Sequence, residues 1–438
     1  MGIMMAFGIG GGIFYSPFIP VAMYYLFAVW RPQFMWKYDL ISYAPDFPWS
    51  FYMAITAMGS AFIWRMGFWL SPNRFAHVRL PQLNFGHYAF IFFAFWITLT
   101  YFNAENQLIA AECYDEYKKI FIVFITASLV ITSIRQAAIL AGLATFALVY
   151  IAFEVNVNYL KGYLVLVRNG WDGLDNNGAA LLLATGVPLC IFGWDMLKHW
   201  SRWFVIMGVP LLVHAVLTSY SRGAMLSILV STPIYILLCR KENRKWIALG
   251  YLVGAISLPF LVGEEIANRF SSINDYKQDE SAESRLTTWS IAAKMAIERP
   301  ILGYGVRNSS LYTREMGADM EGRVIHNTYL QIAADSGIVG VCAYLVCIIF
   351  AIVISLRIRS VLKPYLNTGS QEAEFGYGVA NMVIGGLIVY CFGAFFLSLE
   401  TVEIQYILWL IAFQTWSITR RHLENLHYAR SLLKSYNT

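Results

Sequence analysis

Apolar stretches recur along almost the whole chain of 438 residues, and this rhythm restricts the possible folds more than any other feature. About twelve are readable: 10–30, 47–66, 85–104, 119–134, 137–155, 178–195, 203–218, 223–239, 245–263, 333–356, 377–397 and 404–418. A hydrocarbon layer of about 30 Å asks for roughly 20 apolar residues per helix. Lipid also forces each backbone N–H and C=O to find a partner inside the chain, which favours helices. Charged residues make up only 13% of the chain and hydrophobic ones 58%. A soluble domain carries nearer to about 25% charge. These values exclude a disordered chain, a collagen-like fibre and a small disulfide scaffold. The expected fold is all-α: a polytopic membrane protein with about 12 transmembrane helices and one large, partly helical loop. Pro17 and Pro20 leave the segment before them readable as a separate short helix.

Lysine and arginine near helix ends set orientation. The turn Arg240-Lys241-Glu242-Asn243-Arg244-Lys245 is the clearest inner mark, followed by Arg357, Arg359 and Lys363 and by Arg420 and Arg421. One alternation fits them. Both termini lie inside, and the segments 31–46, 105–118, 156–177, 219–222, 264–332 and 398–403 lie outside. The chain divides into N-terminal helices (1–200), a core (201–357) that includes the loop 264–332, C-terminal helices (358–418) and a tail (419–438). The net charge of +5 is accounted for by these loop ends, so no nucleic acid partner is expected.

The segment 264–332 interrupts the rhythm. Between 264 and 325 it carries ten Asp or Glu and eight Lys or Arg, nearly a third of all charges. Trp289 to Ile297 has apolar residues at helical spacing, so an amphipathic helix is expected near 284–298, with Ser281 or Ser284 as its cap. A structureless loop this long would be unusual.

Several residues in and around that loop carry candidate chemistry. Arg222 stands in Ser221-Arg222-Gly223-Ala224, at an outer helix junction where charge bias disfavours arginine. Its planar fork suits phosphate, and the pattern equally admits a snorkelling interfacial arginine. Arg285 follows a run of acids and either pairs with them or points to an anion. Arg269, Arg307, Arg314 and Arg323 are further candidates. His326 begins His326-Asn327-Thr328-Tyr329 where the loop returns to the membrane, a place for a general base or for a packing residue. No HExxH spacing, Walker A loop or dinucleotide fingerprint occurs, so the motifs call for no metal and no cofactor. The glycines of Gly8-Ile9-Gly10-Gly11-Gly12 read as helix packing. Acids within the spans are scarce, which argues against an ion-coupled transporter.

The order Ser221-Arg222-Gly223-Ala224, Arg285, Pro300-Ile301-Leu302-Gly303-Tyr304-Gly305, then His326-Asn327-Thr328-Tyr329-Leu330 followed by Gly337 resembles the O-antigen ligase and polymerase superfamily over roughly 200–350. The first half looks like its ligase-type branch. The resemblance implies a GT-C-like enzyme of the bacterial inner membrane, with its active site on the periplasmic face. It implies an inverting, metal-independent glycosyl transfer from an undecaprenyl-diphosphate-linked glycan to lipid A-core, with membrane lipids as the surroundings. His326 falls on the family histidine, and Arg222 and Arg285 on arginines that hold the donor diphosphate. Asn327 and Tyr329 are candidate supporting residues. A polymerase lengthening lipid-linked repeats, or a ligase acting on protein, would use the same positions. A lipid-linked sugar transporter is the alternative of another class.

Overall fold

The computed structural model describes residues 2–32, 34, 48–70, 83–171, 173–197, 201–261, 280–318, 322 and 324–436. They form α-helices and short 3₁₀ turns. The helices are α1 (Gly2–Phe14), α2 (Phe18–Trp30), α3 (Trp49–Leu70), α4 (Phe85–Phe102), α5 (Gln107–Val130), α6 (Ile134–Leu160) and α7 (Val165–Asn169). They continue as α8 (Asn176–Gly193), α9 (Ser201–Leu217), α10 (Arg222–Leu238), α11 (Arg244–Leu261), α12 (Glu280–Glu298), α13 (Thr328–Leu362), α14 (Gln371–Gly393) and α15 (Glu403–Tyr436).

The all-α, polytopic reading stands, but the count of about twelve spans does not. Among the described residues five helices are long and apolar enough to cross a membrane: Phe85–Phe102, Ile134–Leu160, Asn176–Gly193, Thr328–Tyr365 and Gln371–Gly393. The physical reason is length and charge. Helices α1, α2, α9 and α10 are apolar, but they have 13, 13, 17 and 17 residues. Most of the stretch read as 119–134 belongs to α5, which starts at Gln107 inside the segment expected to be an outer loop and ends at Val130. Its acids therefore sit on a helix, where Asp115 pairs with Lys118 and Glu116 with Lys119 at 2.6 Å, one turn apart. The break before Pro17 is real, since α1 and α2 are separate helices. Gly8 and Gly12 pack as expected. A Cβ at Gly8 would lie 2.6 Å from Met53 Sδ, and one at Gly12 would lie 2.9 Å from Pro20 Cγ.

Burial sorts the helices into centre and rim. In α8, 83% of the apolar window is buried and in α14 78%, against 39% in α4. Small residues bring α14 close to its neighbours. A Cβ at Gly385 would lie 2.7 Å from Pro188 Cβ on α8, and one at Gly386 would lie 2.8 Å from Leu408 Cδ1 on α15. The rim shows large apolar side chains to its surroundings, among them Phe62, Phe95, Trp246 and Leu252. Lipid tails are the solvent that tolerates such a surface.

Some polar groups inside the bundle join helices that are far apart in the chain. His87 on α4 accepts from Asn84 N through Nδ1 at 3.1 Å, and its Nε2 lies 3.1 Å from Gln414 Nε2 on α15. Arg31, at the end of α2, makes a 3.0 Å ion pair with Glu403 at the start of α15. Gly386→Leu should overpack the α14–α15 contact and cost about 1–3 kcal/mol. Phe62→Leu on the rim should leave stability within about 0.5 kcal/mol. Thermal unfolding in one detergent checks the contrast.

Candidate functional site

The turn between α9 and α10 is built by its own hydroxyls. Ser219 Oγ donates to Val216 O at 2.6 Å and accepts from Ser221 N at 3.1 Å, and Tyr220 takes a left-handed φ of 58°. Ser221 then caps α10, accepting from Ala224 N at 3.4 Å. In Ser221-Arg222-Gly223-Ala224 the serine is thus the cap and Arg222 the first helical residue. The leading N–H groups of a helix have no partner within it, and its dipole adds positive potential.

The start of α10 borders a cavity of about 350 Å³ lined by Val167, Asn176, Asn177, Tyr220, Ser221, Arg222, Gly223, Arg285, Phe396 and Leu397. Asn176 and Asn177 are the first two residues of α8, whose cap Asp175 accepts from Gly178 N at 2.7 Å. Asn176 Nδ2 donates to Ser219 O at 3.0 Å and so joins the two helix starts. Two helix starts and two arginines therefore line one cavity. Such an arrangement favours an anion with several oxygens, and phosphate fits it.

Arg285 is delivered by α12, which begins at Glu280, four residues before the expected start. Ser281 and Ser284 consequently lie inside the helix and are not its caps. One turn beyond Arg285, Thr288 Oγ1 and Trp289 Nε1 donate to Ile325 O at 3.4 and 3.0 Å. That places His326 directly after a carbonyl held by α12. On the other side of the histidine, Asn327 caps α13 by accepting from Tyr329 N and Leu330 N, both at 3.0 Å. Thr328 N donates to Ala394 O at 2.9 Å, and Thr328 Oγ1 donates to Leu397 O at 2.7 Å. Leu397 is a wall of the arginine cavity. His326 is not among the described residues lining that cavity, but Ile325 before it is bonded to α12, which carries Arg285, and Thr328 two residues after it is bonded to Leu397. Its φ is +52°, a backbone strain that a β-carbon-bearing residue adopts only when its surroundings enforce it.

The other candidates fall elsewhere. Arg307 Nη2 lies 3.5 Å from Glu400 Oε1, a carboxylate only 3% exposed, and this neighbour holds the guanidinium well above its ordinary pKa. Arg307 is thus engaged by a protein carboxylate and does not line the cavity. Arg314 is exposed. Arg269 and Arg323 lie outside the described residues. The Tyr329 hydroxyl donates to Cys391 O at 2.8 Å, tying α13 to α14.

The Pro300–Gly305 segment and Gly337 belong to one device. At Gly337 (φ 73°, ψ 177°) α13 breaks, and the loop pairs with the opened backbone. Tyr304 N donates to Ala334 O at 3.0 Å and Gly305 N to Asp335 O at 2.8 Å. Ile338 N donates to Pro300 O at 2.7 Å, and Trp96 Nε1 to Ser336 O at 2.9 Å. A Cβ at Gly337 would lie 2.1 Å from Ile301 O. The break thereby fixes α12, and Arg285 with it, to the membrane helices. The repeated glycines of this segment were the sequence signal for it. The cavity contributions of Asn176, Asn177 and Phe396 had no such signal. Among the described residues no group of three His, Cys, Asp or Glu side chains is arranged to hold a metal ion.

Gly337→Ala should meet both the strained φ and the Ile301 carbonyl and destabilise the protein by about 2 kcal/mol or more. A lowered unfolding temperature, together with faster proteolysis of the 280–331 segment, is the expected readout.

A family profile described as O-Antigen ligase matches residues 207–345, the span that contains Arg222, Arg285, His326 and Gly337. A Rickettsia felis protein named "Putative polysaccharide ligase" is 25% identical over 222 residues, 48% of this chain and 52% of that protein. A Rickettsia conorii protein with the same description is 26% identical over 231 residues, 50% of this chain and 54% of that protein. The aligned region thus spans about half the length of these curated relatives. With its apolar helices, the chain is a bacterial multi-pass membrane protein, and the segment 207–345 that carries the candidate site is similar to the O-antigen ligase family.

Proposed function

We propose that the protein is an inverting, metal-independent glycosyltransferase that moves O-antigen polysaccharide from undecaprenyl diphosphate to lipid A-core on the periplasmic face. The observation that carries this reading is the shared cavity of Arg222 and Arg285 at the starts of α8 and α10. It is the place for a diphosphate. Beside it, an apolar cavity of about 1040 Å³ runs along α10 past Val216, Leu217, Met225, Leu229 and Trp246, and suits a polyprenyl tail.

The chemistry follows from those positions. An acceptor hydroxyl attacks the anomeric carbon from the face opposite the diphosphate, so the configuration inverts. As the new C–O bond forms, the bond to the phosphate oxygen breaks, and the electron pair leaves with undecaprenyl diphosphate. Negative charge grows on those oxygens, where Arg222, Arg285 and the helix N–H groups stabilise it. His326, in the chain between α12 and α13, takes the hydroxyl proton. Asn327 and Thr328 act as its supports.

The test is a defined-substrate transfer assay in detergent, with lipid-linked glycan and lipid A-core. Transfer onto core should persist in EDTA. Arg222→Gln and Arg285→Gln should each lower the rate by about 10²-fold. His326→Ala should lower it by about 10²–10⁴-fold. Lengthened lipid-linked glycan with no core product would replace the ligase by a polymerase. Full activity in the His326 variant, or loss of activity on chelation, would end this mechanism.

A further inference from the structure

We propose that the corner between α4 and α5 is a recognition subsite for a neutral oligosaccharide, separate from the arginine cavity. It deepens the reading just given, on which the identity of its natural ligand rests. The corner holds a cavity of about 470 Å³, lined by Glu105, Asn106, Gln107 and Leu108 at the start of α5 and by Leu311 and Tyr312 from the loop. That volume lies within the range of about 300–1,000 Å³ usual for small-ligand sites.

The wall chemistry selects the ligand class. No lysine or arginine is among the described lining residues, so the corner lacks the charge that a diphosphate needs. Only two leucines are purely apolar, too few for a lipid tail. What remains is one carboxylate, two amides and one phenol, the set that matches the alternating hydroxyls and C–H faces of a sugar. Gln107 Nε2 donates to Tyr101 O and Ala104 O at 3.1 and 2.8 Å, which leaves its Oε1 to accept from a hydroxyl.

The walls are set before any ligand arrives. Asn106 N donates to Asn308 Oδ1 at 2.7 Å, and Asn308 Nδ2 returns a bond to Asn106 O at 3.1 Å, clamping the loop onto α5. The Tyr312 hydroxyl donates to Glu105. The Tyr312 ring rests against Tyr304 at 4.8 Å, and the Arg299 guanidinium sits 4.2 Å from the Tyr304 ring centre. A rigid wall lowers the ordering cost of binding a flexible glycan. Both cavities borrow a wall from the segment that follows α11, so a glycan held at its reducing end by the arginines would emerge at the same end of the bundle.

The glycan comes either from the donor or from the acceptor, and the experiment separates them. Saturation-transfer difference NMR on the full chain in nanodiscs uses two probes: the repeat-unit oligosaccharide freed from its lipid diphosphate, and the core oligosaccharide freed from lipid A. Wild type should give signal from at least one, and that one names the source. Glu105 and Gln107 are exposed, so the double variant Glu105→Gln, Gln107→Ala should fold normally. With the loss of about 1 kcal/mol per hydrogen bond, its binding should fall about fivefold or more. Tyr312→Phe, which keeps the ring, should fall less. No signal from either probe in wild type, or equal signal in the double variant, overturns the subsite. The transfer assay is read separately: binding without transfer in wild type sinks the transferase reading and leaves the subsite standing.

Discussion

Within a lipid-facing bundle, a helix that breaks must find partners for the backbone groups it opens, and the break of α13 at Gly337 governs the rest of the site in this way. Its partners are the 300–305 segment and Trp96, which take up the carbonyls of Ala334, Asp335 and Ser336 and the N–H of Ile338. The loop is therefore stitched into the membrane helices through their main chains. Everything the loop carries inherits that placement. Arg285 rides on α12 immediately before the stitched segment, and His326 stands where the chain enters α13.

Around this anchor the positive potential has two sources. One is side-chain charge, from Arg222 and Arg285. The other is the main chain, from the N-termini of α8 and α10. The backbone contribution costs nothing in rotamer entropy and is already aimed before a ligand binds. Arg307 makes the contrast. It lies in the same loop, but the buried Glu400 carboxylate neutralises it, so its charge serves the docking of the loop onto the α14–α15 turn. Arg285 and Arg307 thus sit in different surroundings, one at the cavity and one against Glu400.

Much of this was legible in the residue order. Arg222 at a helix junction agrees with the start of α10, and the apolar spacing of 289–297 foretold α12 within four residues. The count of spans failed because hydropathy registers apolar character and not helix length. Helices α1 and α2 have 13 residues each, and α5 starts among acids that one-turn ion pairs make tolerable. The pairing of Arg307 with Glu400 and the approach of Asn176 to Ser219 were illegible for another reason. They join residues far apart in the chain, and no local spacing records such a meeting.

The central claim is that Arg222 and Arg285 act on one bound anion. A double-mutant cycle on kcat/KM for the lipid-linked donor, using Arg222→Gln, Arg285→Gln and the double variant, tests it most directly. Two groups on one diphosphate should be non-additive, with a coupling energy of about 1–3 kcal/mol. Losses that add to within about 0.5 kcal/mol would mean that the two arginines serve separate sites, and the shared-cavity account would be wrong.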